Sequence, residues 1–86
     1  MMKKEPGKLY IEEDGQSIAE LIYTDEEDYY DVTGTYTAPE QRNRGLAKDL
    51  VDEIVAMARE NNKKIKPTCP YVPHAIRGSE YDDIRM

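Results

Sequence analysis

The sequence contains no tryptophan and no phenylalanine, so seven tyrosines supply all of its aromatic side chains. A buried tyrosine hydroxyl needs a hydrogen-bond partner, and we therefore expect several of these rings to lie half-exposed or to line a groove. The single cysteine excludes an internal disulfide, which suits a reducing, cytoplasmic setting. The single histidine, His74, has no second ligand-like residue at metal-binding spacing, so we predict no metal site.

Long apolar runs and an excess of positive charge are also lacking. No stretch approaches the length of a transmembrane span or of a signal-peptide core, so we expect a soluble chain with no membrane partner. The formal net charge of -6 argues against a general nucleic-acid binder. With 86 residues, 38% of them hydrophobic, the sequence predicts one globular domain over residues 1–86 with a small core.

The first half of the chain has the pattern of a β-meander. We expect Met1–Gly7 to be a flexible leader, because it is polar, basic and terminal. Leu9–Ile11 and Ser17–Thr24 are typical of strands, and the Asp14-Gly15 pair between them is a strong hairpin signal. Tyr29–Thr37 is rich in tyrosine, threonine and valine and predicts a third strand.

The second half predicts one long helix and one short strand. Apolar side chains recur at spacings of three and four, which makes one helical face: Leu46, Ala47, Leu50, Val51, Ile54, Met57 and Ala58. Lys64–Pro67 is the fourth predicted strand, and the crossover that leads to it should be right-handed and pair in parallel. The predicted fold is an α/β mixed sheet of order β-β-β-α-β, followed by a short helical tail, with the main helix packed on the sheet. Gly34 inside the third strand indicates a bulge or a close backbone approach.

The junction between the third strand and the helix is the part most informative about function. Arg42-Asn43-Arg44-Gly45 forms a short basic turn that leads into the first helical turn at Leu46. Backbone N–H groups and the positive end of the helix dipole converge there, which favours a phosphate group. Two arginines and a glycine also occur in ordinary solvated turns.

Three segments together resemble a known family. Arg42-Asn43-Arg44-Gly45-Leu46-Ala47 resembles the acetyl-coenzyme A (acetyl-CoA) signature of the GNAT superfamily of N-acetyltransferases, in which Gln or Arg is followed at fixed spacing by Gly and then Gly or Ala. Lys64 to Val72 resembles the Pro-x-Cys-x-Tyr segment of a minimal, single-domain branch of that superfamily, and Tyr81-Asp82-Asp83 is similar to its closing segment. The resemblance runs in order along nearly the whole chain.

This resemblance implies a truncated GNAT-like fold and a coenzyme A (CoA) cofactor. The pyrophosphate would meet the backbone of the turn and of the first helical residues, namely Arg42, Asn43, Arg44, Gly45, Leu46 and Ala47. The pantetheine arm would pair with the backbone of Thr35, Tyr36 and Thr37, beside a gap between this strand and the strand after the helix. Gly34 stands where the small branch commonly has a histidine, and Thr37 where it commonly has an aliphatic residue.

Cys69 is the candidate catalytic residue, because the resemblance places it near the acetyl thioester. A thiolate could accept the acetyl group covalently and pass it on. Alternatively, a neutral amine attacks the thioester directly, and Tyr71 or Tyr81 protonates the departing thiolate. A free cysteine is also often a small buried hydrophobic residue without chemistry.

Three classes of function stay open. The first is a small N-acetyltransferase that moves an acetyl group from acetyl-CoA to an amine of a small molecule or peptide. The second is a CoA-binding module without catalysis, and the third is an acidic protein-interaction domain without a cofactor. Exposed sheet edges make a monomer or a weak homodimer the expected state.

Overall fold

The computed structural model describes residues 1–86, which form one five-stranded mixed sheet with helices. The elements are β1 (Met2–Glu5), β2 (Lys8–Glu13), β3 (Gln16–Asp25), β4 (Tyr29–Thr37), α1 (Leu46–Glu60), β5 (Lys64–Pro67) and α2 (Tyr71–Ala75), with 3-10 turns at Pro39–Gln41 and Ser79–Tyr81. The strands lie in the sheet in the order β1-β2-β3-β4-β5. The predicted mixed α/β class, main helix and short helical tail are confirmed.

The hairpin between β2 and β3 turns at the predicted residues. Asp14 and Gly15 both have positive φ, 53° and 75°. Two consecutive residues with positive φ define the type I′ turn, whose twist matches that of the strands on either side. The turn sets the first pairs, Glu13 opposite Gln16 and Glu12 opposite Ser17. A register shift at Ile18 follows, and beyond it Leu9 lies opposite Leu21 on the buried side of the sheet.

The N-terminal segment differs from the predicted flexible leader. Met2–Glu5 forms β1, which pairs antiparallel with β2 from Met2 opposite Ile11 to Glu5 opposite Lys8. Gly7, with φ of 83°, makes the tight return between the two strands. The sheet consequently has one strand more than predicted. β1 was not predicted because its sequence is rich in lysine. Lysines are nevertheless common on sheet edges, where they discourage aggregation.

The β4–α1–β5 crossover pairs its two strands in parallel, as predicted. Tyr29 lies opposite Lys64, and the ladder runs on to Val32 opposite Pro67. The predicted bulge is also present, because Ile22 lies opposite Gly34 while Tyr23 lies opposite Val32, so that Thr33 is the extra residue.

The core lies between one face of the sheet and α1. Helix α1 packs across β2, β3, β4 and β5 and buries Leu46, Leu50, Val51, Ile54, Val55 and Ala58. Apart from Val55, these are residues that the helical spacing identified, while Ala47 and Met57 are half-buried. Neither helix combines the length and the apolar character that a membrane span requires.

Two tyrosines take the structural place of phenylalanine in this core. The rings of Tyr23 and Tyr30 meet edge to face, 5.4 Å apart, and both are buried. The Tyr30 hydroxyl accepts a hydrogen bond from Nδ2 of Asn61 at 2.9 Å. Each buried polar side-chain atom has a partner, so the use of tyrosine leaves no unsatisfied group.

The C-terminal segment is tied to α1 and to β5. Arg59 donates two hydrogen bonds to the Asp83 carboxylate, at 3.0 and 3.1 Å, and a third to the Glu80 carbonyl. The N–H of Ile65 donates to the Ile84 carbonyl at 2.7 Å, which covers the outer edge of β5. The tail therefore protects a strand edge that would otherwise be open.

We predict that Leu21 and Ile22, adjacent in β3, differ strongly in their contribution to stability. Leu21 is fully buried and Ile22 is 40% exposed on the other face of the sheet. Leu21→Ala should lower the free energy of unfolding by about 2–5 kcal/mol, because it leaves a cavity in the core. Ile22→Ala should lower it by about 1 kcal/mol or less, which is the span of strand propensities. Urea denaturation measures both, and equal losses would contradict the sidedness of the sheet.

A second prediction concerns the pH dependence of the Arg59–Asp83 contact. Hydrogen bonding to Arg59 lowers the pKa of the Asp83 carboxyl below its ordinary value of 3.8. The stabilisation of the fold by the Arg59–Asp83 contact should be complete above pH 3.8 and disappear as the pH falls through the lowered pKa of Asp83. Asp83→Asn should therefore reduce the Tm at neutral pH, and the difference from the unmodified protein should vanish in strong acid. Asp28→Asn, which alters a carboxylate without an ion pair, is the control for net charge.

Candidate functional site

The turn before α1 has a backbone shape that exposes its N–H groups. Asn43 and Gly45 have φ of 70° and 76°, both in the left-handed region. Gly45 is the residue at the N-terminal cap of α1, and no side chain caps the helix. Asparagine and glycine are the residues that adopt this conformation most readily, so the sequence of the turn fits its shape.

Six consecutive backbone N–H groups at this junction, those of residues 43–48, donate no hydrogen bond within the protein. The first backbone donor of the helix that has a partner is Asp49, which donates to the Gly45 carbonyl at 3.1 Å. The first amides of any helix lack internal acceptors and are satisfied by caps, water or ligands. Here the turn extends this row of free N–H groups to residues 43–48. The row lies at the positive end of the helix dipole, so it suits an anion with several oxygen atoms.

The edge of β4 next to this junction is open. Pairing with β5 ends at Val32 opposite Pro67, and the N–H of Cys69 then donates to the Val32 carbonyl at 2.8 Å. Residues 34–37 continue to pair with β3 on one side, whereas the other side of residues 33–37 has no backbone partner. A strand edge of this kind can pair with a ligand that carries amide groups.

A cavity of about 310 Å³ lies at the junction. Its walls come from the end of β4, the basic turn, the first turn of α1 and the start of α2: Thr37, Gln41, Arg42, Asn43, Gly45, Leu46, Ala47, Lys48 and Tyr71. Thr35, Tyr36 and Arg44, which the sequence also suggested, lie outside this wall. Thr35 faces Cys69, and Tyr36 is 53% exposed on the opposite face of the sheet.

Gln41 and Lys48 are cavity residues that sequence reasoning missed. Lys48 lies three residues after Gly45, so helical spacing could have placed it on the same side as the turn. Its Nζ donates to Asp52 and, at 3.2 Å, to the Tyr81 hydroxyl, and these contacts raise the pKa of Lys48. Lys48 is therefore a fixed positive charge at the cavity wall.

The two arginines of the turn have different surroundings. Arg42 lines the cavity and makes no ion pair with any carboxylate of the chain. Arg44 instead bonds to both oxygens of Glu13, at 2.9 and 3.2 Å, and to the Gln41 side chain. Only Arg42 is thus free to meet an anion in the cavity.

Cys69 is buried, with 6% of its surface exposed, at the point where β4 and the chain after β5 separate. Its Sγ lies 3.6 Å from the Thr35 hydroxyl across this gap. Its only side-chain hydrogen-bond partner is this hydroxyl, and not a cation or histidine of the kind that usually activates a cysteine thiolate. Tyr71, two residues after Cys69, lines the cavity.

A second cavity, of about 300 Å³, lies at the other end of α1, about 22 Å away along the helix axis. Its cations are already engaged, since Arg59 bonds to Asp83, Lys63 to Asp25 and Lys64 to the Asp83 carbonyl. The helix dipole is negative at that end. The cavity at the start of α1 is therefore the better site for an anionic ligand.

Comparison with known proteins agrees with this geometry. Residues 8–84 match the model of the GCN5-related N-acetyl-transferase family. The solution structure of a GCN5-like protein from Staphylococcus aureus is 27% identical, with a TM-score of 0.81 over 100% of this chain and 87% of that one. No curated protein matches the sequence.

Larger solved acetyltransferases share the fold. Ribosomal-protein-alanine N-acetyltransferase from Brucella melitensis is 26% identical, with a TM-score of 0.67 over 92% of this chain. A GNAT family acetyltransferase from the same species, solved with acetyl-CoA, is 20% identical, with a TM-score of 0.61 over 78% of this chain, and shows likeness of fold alone. This chain spans 62% and 49% of those two proteins. The protein belongs to the GCN5-related N-acetyltransferase family.

Proposed function

We propose that the protein binds acetyl-CoA at the start of α1 and transfers the acetyl group to an amine of a small molecule or peptide. The observation that carries the proposal is the row of six unpartnered N–H groups over residues 43–48. A pyrophosphate supplies the oxygen atoms that such a row needs. Membership of the acetyltransferase family and the acetyl-CoA held by a structural neighbour support this choice of anion.

Two parts of the cofactor, the pyrophosphate and the pantetheine arm, have residues of matching chemistry. The pyrophosphate would bind the N–H groups from Asn43 through Arg44, Gly45 and Leu46 to Ala47, with Arg42 adding a charge. The pantetheine amides would pair with the open backbone of Thr35, Tyr36 and Thr37 in β4. An open strand edge offers alternating donors and acceptors at the spacing that an extended amide chain can use.

The chemistry proposed for the site is direct acyl transfer. The bound thioester would supply an activated acetyl group and a thiolate leaving group. A neutral acceptor amine forms the new C–N bond as the C–S bond breaks, and it gives up one proton while the thiolate takes one. Tyr71, in the cavity wall, is the candidate donor of the second proton. The acidic segments Glu12–Asp14 and Asp25–Asp28 would attract a cationic acceptor by long-range electrostatics.

A second candidate function is CoA binding without catalysis. One observation favours it: the chain spans only 49% to 63% of four larger structural neighbours. The additional segments of longer chains can supply walls around an acceptor. Release of free CoA thiol over a panel of amines distinguishes the two functions, because a binder without catalysis releases none.

We predict that CoA raises the Tm of the protein and that a negative charge at Gly45 removes this effect. Gly45→Asp would place a carboxylate beside the unpartnered N–H groups, where it competes with and repels the pyrophosphate. We expect CoA affinity to fall at least about tenfold, a free-energy change of about 1.4 kcal/mol. Isothermal titration calorimetry and thermal shift with CoA measure the effect.

Gly45→Asn is the matched control for this change. Asparagine has nearly the same shape as aspartate and tolerates the left-handed conformation that Gly45 adopts, but it has no charge. Both variants should fold, since a carboxylate near a helix N-terminus is favourable in itself. Equal CoA affinity for the two variants would exclude the start of α1 as the anion site, and no binding by the unmodified protein would exclude both CoA-dependent functions.

Cys69→Ala tests whether the thiol takes part in the reaction. We expect the variant to keep acetyl transfer within about tenfold, because direct attack by an amine needs no enzyme nucleophile and Cys69 has only the Thr35 hydroxyl as a side-chain partner. The assay follows thiol release with an amine acceptor that the unmodified protein uses. CoA affinity and Tm are measured on the same samples.

Cys69→Ser separates packing from chemistry in this test. Serine keeps the size and the hydrogen-bonding capacity of cysteine, but its hydroxyl is a far weaker nucleophile at neutral pH. Loss of transfer in both variants, with CoA affinity and Tm retained, would assign a covalent role to Cys69. Loss in Cys69→Ala alone would show that the side chain supports the gap between β4 and β5 by packing.

A further inference from the structure

Arg44 is not part of the cavity wall, and its side chain contacts the hairpin of β2 and β3. Its guanidinium forms two parallel hydrogen bonds with the Glu13 carboxylate, at 2.9 and 3.2 Å, and also donates to Gln41. This planar, two-bond arrangement is the strongest form of an arginine–carboxylate contact. The contact lowers the pKa of the Glu13 carboxyl, so Glu13 stays ionised and the pair stays formed at neutral pH.

The turn that Arg44 belongs to has little other support. The N–H groups of Asn43, Arg44 and Gly45 have no acceptor in the chain, and two of these residues are in the left-handed conformation. Gly45 has no side chain, and Asn43 makes no side-chain hydrogen bond. The Arg44–Glu13 ion pair is the hydrogen-bonded connection between the turn and the β2–β3 hairpin.

We propose that Arg44 is a positioning residue, which acts through Glu13 to hold the turn in the shape that binds the CoA pyrophosphate, whereas Arg42 meets the pyrophosphate directly. This inference rests on the proposed function. It gives the two arginines of one turn different roles, although they are equivalent in charge and only two residues apart. It also makes Glu13, which is 31 residues away from Arg44 in sequence, part of the cofactor site.

The physical reason is preorganisation. A mobile turn must lose conformational entropy when its N–H groups converge on a ligand, and this loss weakens binding. A turn that Glu13 already holds has lost part of that entropy during folding. Exposed ion pairs usually add little to overall stability. The effect of this pair should therefore be larger on CoA affinity than on the Tm.

Glu13→Gln distinguishes positioning from direct contact, because the two roles predict opposite signs. If Glu13 holds the turn, its loss should weaken CoA binding by about threefold to tenfold. If Glu13 instead competes with the pyrophosphate for Arg44, its loss should free the arginine and tighten binding. Isothermal titration calorimetry with CoA at fixed salt measures the change.

Glu12→Gln is the matched control. It removes the same charge from the neighbouring residue of β2, whose carboxylate faces Lys3 at 3.8 Å and makes no contact with the turn. Any general electrostatic benefit of removing one negative charge appears in this variant as well. Glu13→Gln should bind CoA more weakly than Glu12→Gln. Equal or tighter binding would overturn the proposal.

A charge exchange gives an independent test. Arg44→Glu alone should weaken CoA binding by about tenfold or more, and Glu13→Arg in the same chain should restore the affinity to within about threefold of the unmodified protein. Urea denaturation of the same variants measures the free energy of unfolding. If the substitutions changed only overall stability, this free energy would change without a matching change in CoA affinity. If Arg44 contacts the pyrophosphate, the exchanged protein has a carboxylate in place of that cation, and its CoA affinity stays low.

Arg42→Gln completes the comparison. It should weaken CoA binding and reduce the salt dependence of the affinity, because a cation that contacts the ligand is lost. No exchange with Glu13 should rescue it. Failure of the unmodified protein to bind CoA would remove the proposed function and this inference together. Normal binding with an unrescued Arg44→Glu would remove the inference alone.

Discussion

Everything proposed for the site depends on an N-terminus of α1 that the protein leaves uncapped. A helix start is usually closed by a serine, threonine or aspartate side chain that accepts one of the free N–H groups. Here the cap position holds Gly45, and the donors of residues 43–48 remain without a protein acceptor. Substitution of a capping residue by glycine lowers helix stability only slightly. The missing cap therefore lowers the stability of the fold only slightly, and packing of the buried face stabilises α1 instead.

The same junction depends on how far β4 and β5 remain paired. The ladder between them has only four residue pairs and ends at Val32 opposite Pro67. Because Pro67 has no N–H group, it cannot extend the ladder from its own backbone. The Thr33 bulge in β4 adds local twist at the same level. Together these features leave residues 33–37 with an open edge next to the uncapped helix.

Much of the fold could be predicted from the sequence because its signals are local. β4 and β5 have the predicted bounds, and the helical spacing identified most of the buried face of α1. The errors arise where a partner in the tertiary structure decides the outcome. Met2–Glu5 is a strand because β2 offers it an edge. Pro73 follows Pro67 and Pro70 at three-residue intervals, a spacing that favours extended backbone. It nevertheless lies in the first turn of α2, where a missing N–H does no harm.

In the candidate site, too, local features could be predicted from the sequence and those set by tertiary packing could not. The basic turn, Gly45 and the start of the helix are adjacent in sequence, and the pattern was sufficient to bring them together. The different surroundings of Arg42 and Arg44 could not be predicted, since Glu13 reaches Arg44 across 31 residues. The positions of Lys48 and Tyr71 in the cavity wall likewise depend on how α1 and α2 meet. Local sequence identified the backbone that we propose binds the anion, while the side chains around it are placed by long-range packing.

The parallel pairing of β4 with β5 also has a kinetic consequence. The first four strands meet their neighbours through short connections, which close rapidly, whereas Tyr29 must find Lys64 after the whole of α1 has intervened. Contacts between residues distant in the chain form slowly because the ordering entropy is lost before they are made. The meander should then assemble early and the junction of β4, α1 and β5 late, so that the proposed cofactor site of a nascent chain forms only at the last stage of folding.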